Sequence, residues 1–408
     1  CCCLALNFNG DNVMNTKKQQ PKVNSRRQFI KVAGAGLAAL SFPQTFALAG
    51  GTIKSSATSP KIIWVLLRGA LDSLHTVVPH SEPEYAKLRP TLSASFKAPL
   101  LPLSDKFSLH PALKTLYNWY ENKEMLPVIA VSSGYQHRSH FDGQDFLESG
   151  LTTIDHDTGW LGRAINEKQK SALSVTPAKP ISLRSSDNVN TWYPSNLKSA
   201  NDDLFNSLAK LYQHDVELKS ALEKGMEIRG IVGTQKNKKK RQGRFVDLAK
   251  ACAQYMNEDP TIDCAMLELG GWDTHNQQAN RLNRMLSELD GGLATLKLGL
   301  ADKWQNTMII VATEFGRTAT ENGTQGTDHG TASAMFMAGG AIDGGRVLGQ
   351  WPGLGSKQLF EQRDLMPTSN THSWIATAIG QHWQMDNTML KRVFPNATPY
   401  NTSIIRKS

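Results

Sequence analysis

The chain has 408 residues, of which 40% are hydrophobic and 20% charged, with a formal net charge of +9. These are ordinary values for a globular protein with a sizeable core, and a charge of that size makes no general case for a nucleic-acid partner. The five cysteines are Cys1, Cys2 and Cys3 at the start and Cys252 and Cys264 further on, so the later pair can form one disulfide or remain as two buried thiols.

The charge is concentrated at the N-terminus, where residues 1–49 carry Lys17, Lys18, Lys22, Arg26, Arg27 and Lys31 against Asp11 alone. Ser25-Arg26-Arg27-Gln28-Phe29-Ile30-Lys31 has the form of a twin-arginine signal. It is followed by the weakly apolar stretch Val32 to Phe42 and by Ala47-Leu48-Ala49, small residues suited to a signal peptidase. Met14, just ahead of the basic segment, is a candidate start. The expectation is export in the folded state through the twin-arginine translocase, to the periplasm or beyond. No later segment reaches roughly 18 uninterrupted apolar residues, the length a membrane span needs.

After residue 49 the pattern alternates. Short apolar runs rich in Val, Ile, Leu and Met, bounded by Gly or polar turns, predict buried strands at 61–69, 125–133, 180–184, 264–271, 307–313 and 334–339. Amphipathic stretches predict helices over 111–123, 202–227, 243–257, 277–304 and 371–384. Strands alternating with helices of this length predict an α/β fold: a doubly wound, mostly parallel sheet flanked by helices. The expected organisation is a signal segment over 1–49 and one α/β domain over 50–408, with a helical insert at about 195–260. The run Lys236-Asn237-Lys238-Lys239-Lys240-Arg241 reads as a solvated loop or as a contact for a polyanion or lipid head group.

Four polar clusters follow predicted strands, where an α/β sheet places its ligands. They are Arg68–Leu74, Gln136–Asp142, Gly270–His275, and Thr313–Thr318 with its continuation to Gly330. Asp72, Asp273, His275, Glu314, Asp328 and His329 together supply carboxylate and imidazole donors, a set that suits Zn²⁺ or Mn²⁺; a purely oxygen shell would suit Mg²⁺ or Ca²⁺. Asp273 and His275 are two apart on a loop and can reach one ion, whereas the adjacent Asp328 and His329 point apart. Ser139, at a helix N-terminus beside Arg138, can hold a phosphate or sulfate. Each residue also has a structural reading: Asp72, Ser139 and Asp273 as helix caps, and Glu314 with Arg317 as an ion pair.

Taken together, Arg68–Asp72, Arg138–Phe141, Gly159–Arg163, Gly270–His275, Thr313–Thr318 and Gly326–Gly330 resemble the motifs of the DUF1501 family of exported bacterial proteins, in the same order. One departure is Ala70, where that family usually has a second glycine. The family is in turn similar to the alkaline phosphatase and sulfatase superfamily. That resemblance implies an alkaline-phosphatase-like fold and a two-metal site of divalent ions at the strand ends, holding a small phosphate or sulfate ester. Asp72, Asp273, His275, Glu314, Asp328 and His329 are its implied ligands, Ser139 its nucleophile, and Arg138 and Arg317 its charge-stabilising groups. Glu314-Phe315 replaces an Asp-His pair, so one usual histidine is missing. The alternative expectation is a non-catalytic binding or assembly protein with an exported partner of the DUF1800 family.

Overall fold

The computed structural model describes residues 59–194, 202–232 and 244–407, which belong to one compact unit, Thr58–Ser408. The twin-arginine segment, Cys1–Cys3 and the Lys236–Arg241 run lie outside the described residues. Eleven strands are present among them: β1 (Lys61–Arg68), β2 (Val77–Val78), β3 (Leu101–Pro102), β4 (Ser108–Leu109), β5 (Met125–Ser132), β6 (Ala172–Val175), β7 (Val189–Thr191), β8 (Cys264–Gly270), β9 (Thr307–Thr313), β10 (Ser333–Ala338) and β11 (Ser369–Asn370). Eight form one sheet in the order β11-β5-β10-β9-β1-β8-β6-β7, parallel except for β10; β2, β4 and β3 make a small antiparallel sheet.

Strand β1 shows why the sheet is covered on both faces. Side chains alternate along a strand, and here every residue from Ile62 to Leu67 is fully buried. Ile63, Val65 and Leu67 pack with the helices Lys114–Glu121, Phe245–Glu258 and Gln278–Leu300, through residues such as Leu116, Leu248 and Leu289. Ile62, Trp64 and Leu66 pack on the other side with the helices Trp160–Lys168, Thr371–His382 and Asn387–Val393, through Trp160, Ile375 and Val393. This is the doubly wound α/β arrangement.

Two expected elements differ. The run at 180–184 is not a strand: Ile181–Leu183 forms one 3₁₀ turn, because Pro180 fixes its own φ and has no N–H for a ladder. The strand is instead the four-residue Ala172–Val175, between β8 and β7. The long helix expected from Asp202 is two helices, Asp202–Leu211 and Val216–Val232. Asp215 separates them by capping the second, its carboxylate accepting from the amides of Glu217 at 3.1 Å and Leu218 at 3.0 Å. Cys252 and Cys264 are free and buried. No described helix is long and apolar enough to cross a membrane.

Candidate metal centre

Sheet register decides what gathers at the carboxyl edge. Arg68 of β1 is level with Gly270 of β8, and Leu67 is level with Thr313 of β9. The residues that leave these three central strands therefore start from one height. Strand β10 runs the opposite way and begins at the same edge, so the segment joining Thr313 to Ser333 folds over it. Within that segment Arg317 pairs with His329 as an antiparallel bridge. Strand β5 adds the loop that leads to the helix His140–Ser149.

These segments converge on one carboxylate oxygen, Asp273 Oδ1. His275 Nε2 is 3.0 Å from it, His329 Nε2 3.3 Å, His140 Nε2 3.4 Å, and the Arg317 guanidinium 2.5 Å. His275 Nε2 and His329 Nε2 are 3.0 Å apart, and ligand atoms of His140, Asp273 and His329 all lie within 4.8 Å of one another. Each imidazole has an acceptor on its other nitrogen. Glu314 Oε1 is 2.8 Å from His140 Nδ1, Asp328 Oδ1 is 3.1 Å from His275 Nδ1, and the Arg138 carbonyl is 2.8 Å from His329 Nδ1. Such acceptors take the Nδ1 protons and so select the tautomer whose Nε2 carries a lone pair. Three lone pairs then face one another and a carboxylate, an arrangement that repels unless a proton or a cation lies among them. His140 Nε2 is buried with no hydrogen-bond partner, an arrangement that is costly unless a proton or a cation meets it.

The spacing suits a metal ion. Ligand atoms around a tetrahedral zinc stand about 3.3 Å apart; His275, His329 and His140 Nε2 stand 3.0, 3.3 and 3.4 Å from Asp273 Oδ1, and the group whose ligand atoms all lie within 4.8 Å of one another is His140, Asp273 and His329. Among the described residues, this is where a metal-sized cluster of His and Asp occurs.

The chain matches, over residues 59–394, the family described as Protein of unknown function (DUF1501). It belongs to that family. No curated protein matches the sequence. Among solved structures, this DUF1501 chain is similar to alkaline phosphatase from the Antarctic bacterium TAB5 (13% identity, TM-score 0.35, 83% of this chain and 99% of that one). It is also similar to the soluble domain of lipooligosaccharide phosphoethanolamine transferase A from Neisseria meningitidis (10%, TM-score 0.39, 84% and 95%). A third is the lipoteichoic acid synthase LtaP from Listeria monocytogenes (9%, TM-score 0.36, 83% and 76%).

Five of the six carboxylate and imidazole residues singled out in the sequence of this DUF1501 protein gather here in two layers. Asp273, His275 and His329 meet at the centre, joined by His140. Glu314 and Asp328 stand one layer behind as acceptors for His140 and His275. Glu314 is buried, which alone would raise its pKa. Donors from His140, Gln144 and Thr313 outweigh that and hold it below the usual carboxylate range. Its Oε1 also accepts from the amides of Gly69 at 2.8 Å and Ala70 at 3.1 Å. Burial works against charging His140, but Glu314 outweighs it and raises the imidazole. Burial likewise opposes ionisation of Asp273, and the Arg317 guanidinium more than offsets it. Asp328 is held low first by the Asn322 amide and then by His275. Burial lowers His329, consistent with a neutral imidazole.

Asp72 stands apart from the cluster. It caps the turn Ser73–Thr76 through Leu74 N at 3.1 Å, and both its oxygens accept from buried Arg89, at 2.9 and 2.7 Å. Gln278 Nε2 also donates to it, and Gln278 Oε1 in turn accepts from Thr274 and Thr327. Every accessible lone pair of Asp72 is therefore spent on structure, linking the β1 turn to the β8 and β9 loops. Arg317 is buried and bonds to the carbonyls of Gly69, Ala70, Trp272 and Thr327 as well as to Asp273. Its fork is a clamp on three loops, closed to a substrate oxygen. Arg138 pairs with Glu361 at 2.9 Å and with buried Asp364 at 2.8 Å, and its Nε is buried without a partner. Ser139 caps the helix His140–Ser149, its Oγ accepting from Asp142 N at 3.5 Å. Phe315, in the place of the missing histidine, stacks on His140 at 5.0 Å and lies against His329 at 5.4 Å, giving the cluster an apolar floor.

Proposed function

We propose that this chain is an exported, metal-dependent hydrolase of phosphate or sulfate esters, with one divalent ion held by His140, Asp273, His275 and His329. The observation that carries the reading is the convergence of three Nε2 lone pairs on Asp273 Oδ1, each imidazole locked from behind. Three nitrogens and one oxygen favour Zn²⁺ or Mn²⁺ over Mg²⁺ or Ca²⁺. A bound ion supplies Lewis acidity at an ester oxygen and a lowered pKa for an attacking hydroxyl.

The chain's own groups provide the rest. Ser139 immediately precedes His140, is half-buried, and opens a ten-residue helix whose first amides favour an anion. The Tyr135 hydroxyl lies beside Ser139 and donates to Asp142 Oδ2 at 3.4 Å, which offers the Ser139 proton a path to a carboxylate as Oγ bonds to phosphorus or sulfur; the bond to the alcohol oxygen breaks, that oxygen takes up a proton, and water then hydrolyses the serine ester to release the oxyanion. Export rests on the Arg26-Arg27 signal; replacing both by lysine should keep the protein in the cytoplasm.

The test is to purify the protein after export, measure bound metal by mass spectrometry, and assay aryl phosphates and aryl sulfates after loading with Zn²⁺ or Mn²⁺. Stoichiometric metal with turnover of one substrate class supports the reading. Absence of both after loading refutes it. A second reading, a non-catalytic binding protein with an exported DUF1800-family partner, draws on a separate observation: the Arg317 fork is already occupied by backbone carbonyls and Asp273, and Arg138 is paired with Glu361 and Asp364. A metal-replete protein that turns over no ester yet pulls down such a partner would favour it.

A further inference from the structure

An anionic ester needs a cation besides the metal; of the two guanidiniums expected to provide it, Arg317 is spent on four backbone carbonyls and Asp273, and Arg138 is tied through Nη2 to Glu361 and Asp364 with its Nε buried. A third stands beside the cluster. Arg363 Nη1 donates to the carbonyl of His329 at 2.9 Å and to Asp364 Oδ1 at 2.9 Å. Its Nε and Nη2 have no partner among the described residues, and its side chain is 40% exposed. Asp364, by contrast, is completely buried, and its carboxylate also accepts from Arg138 and Thr331, at 2.8 and 2.7 Å. One edge of the guanidinium is thus fixed to the backbone of a cluster histidine while the other faces solvent.

The backbone that carries Arg363 is unusual. Glu361 and Gln362, directly before it, both have left-handed φ angles, 51° and 55°, a conformation that is strained for a non-glycine residue. They are held there because Phe360 and Asp364 exchange backbone hydrogen bonds at 2.9 Å in both directions and Ala319 N donates to Arg363 O at 3.0 Å. Strain of this kind persists where the surroundings over-determine it, and it gathers at functional sites. Here it presents a guanidinium with a vacant fork to the solvent beside His329.

We propose that Arg363 is the anion-receiving group of this site, its Nε and Nη2 taking two oxygens of a tetrahedral phosphate or sulfate whose third oxygen meets the metal. This rests on the metal-hydrolase reading. A guanidinium suits the task because its rigid fork matches two oxygens of one oxyanion, and because the anchored Nη1 has already given up the side chain's rotamer freedom.

The experiment is calorimetric titration of the Zn²⁺-loaded protein with inorganic phosphate and, separately, with sulfate, alongside measurement of zinc content. Arg363→Ala should bind its preferred oxyanion about tenfold more weakly or worse and keep the zinc content of the parent. Arg363→Lys retains the charge without the fork and should fall between them. Arg363→Gln, which can still donate to the His329 carbonyl, guards against a folding defect and should behave as the alanine variant does. Oxyanion binding unchanged in all three variants would overturn the proposal while leaving the metal site standing. A zinc-loaded parent that binds neither anion would overturn it as well, and a parent that takes up no zinc would remove the metal reading beneath it.

Discussion

At the residue scale, tautomers decide the chemistry. A histidine is a metal ligand only if the proton is on the far nitrogen, and here Glu314, Asp328 and the Arg138 carbonyl hold that proton for three rings. Glu314 and Asp328, acidic residues that look like ligands in the sequence, stand behind His140 and His275 as acceptors instead. In the sequence His140 reads as a structural histidine, because it sits in a segment dominated by Arg138 and Ser139 and a lone imidazole there carries no ligand spacing of its own. Two substitutions test this scale. Glu314→Gln should lower zinc affinity about 10- to 100-fold, measured by chelator competition, because an amide cannot fix Nδ1–H as a carboxylate does; unchanged affinity would mean that His140 is not a ligand. Ala70 has φ +62°, so Ala70→Gly should raise stability by about 1 kcal/mol in urea denaturation, against the usual cost of an added glycine. A loss of stability would show that the unfolded-state entropy outweighs the relieved strain.

At the element scale, the decisive feature is the return of the chain between β9 and β10. A parallel β10 would have begun at the opposite edge and carried His329 away from Asp273. The turn also depends on glycine. A Cβ on Gly316 would lie 1.7 Å from the Ala332 carbonyl oxygen, and backbone on both sides leaves it nowhere to go. Gly316→Ala should therefore cost several kcal/mol, roughly 3–5, and reduce metal content even where the fold survives; a normal melting temperature would contradict this packing. The central strands β1, β8 and β9 were legible because their continuous apolar runs, Ile62–Leu67, Cys264–Leu267 and Met308–Ala312, are short and bounded by polar or turn residues. The short strand β6 was not, since four residues carry too little periodicity to separate them from the neighbouring Leu183 run.

At the scale of the whole molecule, one buried acid ties folding to pH. Burial pushes Glu148 from 4.5 up to about 7, with Ser182 N its partner at 2.9 Å. Because the folded state binds this proton more tightly than the unfolded state, the stabilisation is complete below pH 4.5 and is lost as pH rises through about 7, roughly 3 kcal/mol between the two limits. Glu148→Gln should flatten that slope; urea midpoints at acidic and mildly alkaline pH that fall equally in both proteins would contradict it. The amino-acid sequence alone determined the fold class, since alternating apolar runs and amphipathic helices allow few other layer arrangements. It also determined that polar motifs would sit at strand ends. Which of those motifs meet was decided only by strand register and by the reversed β10, for ligand distances of 3–4 Å depend on neighbours more than a hundred residues away. The tertiary structure alone separated donors that face the centre, His140, Asp273, His275 and His329, from Asp72, which a buried arginine had already claimed.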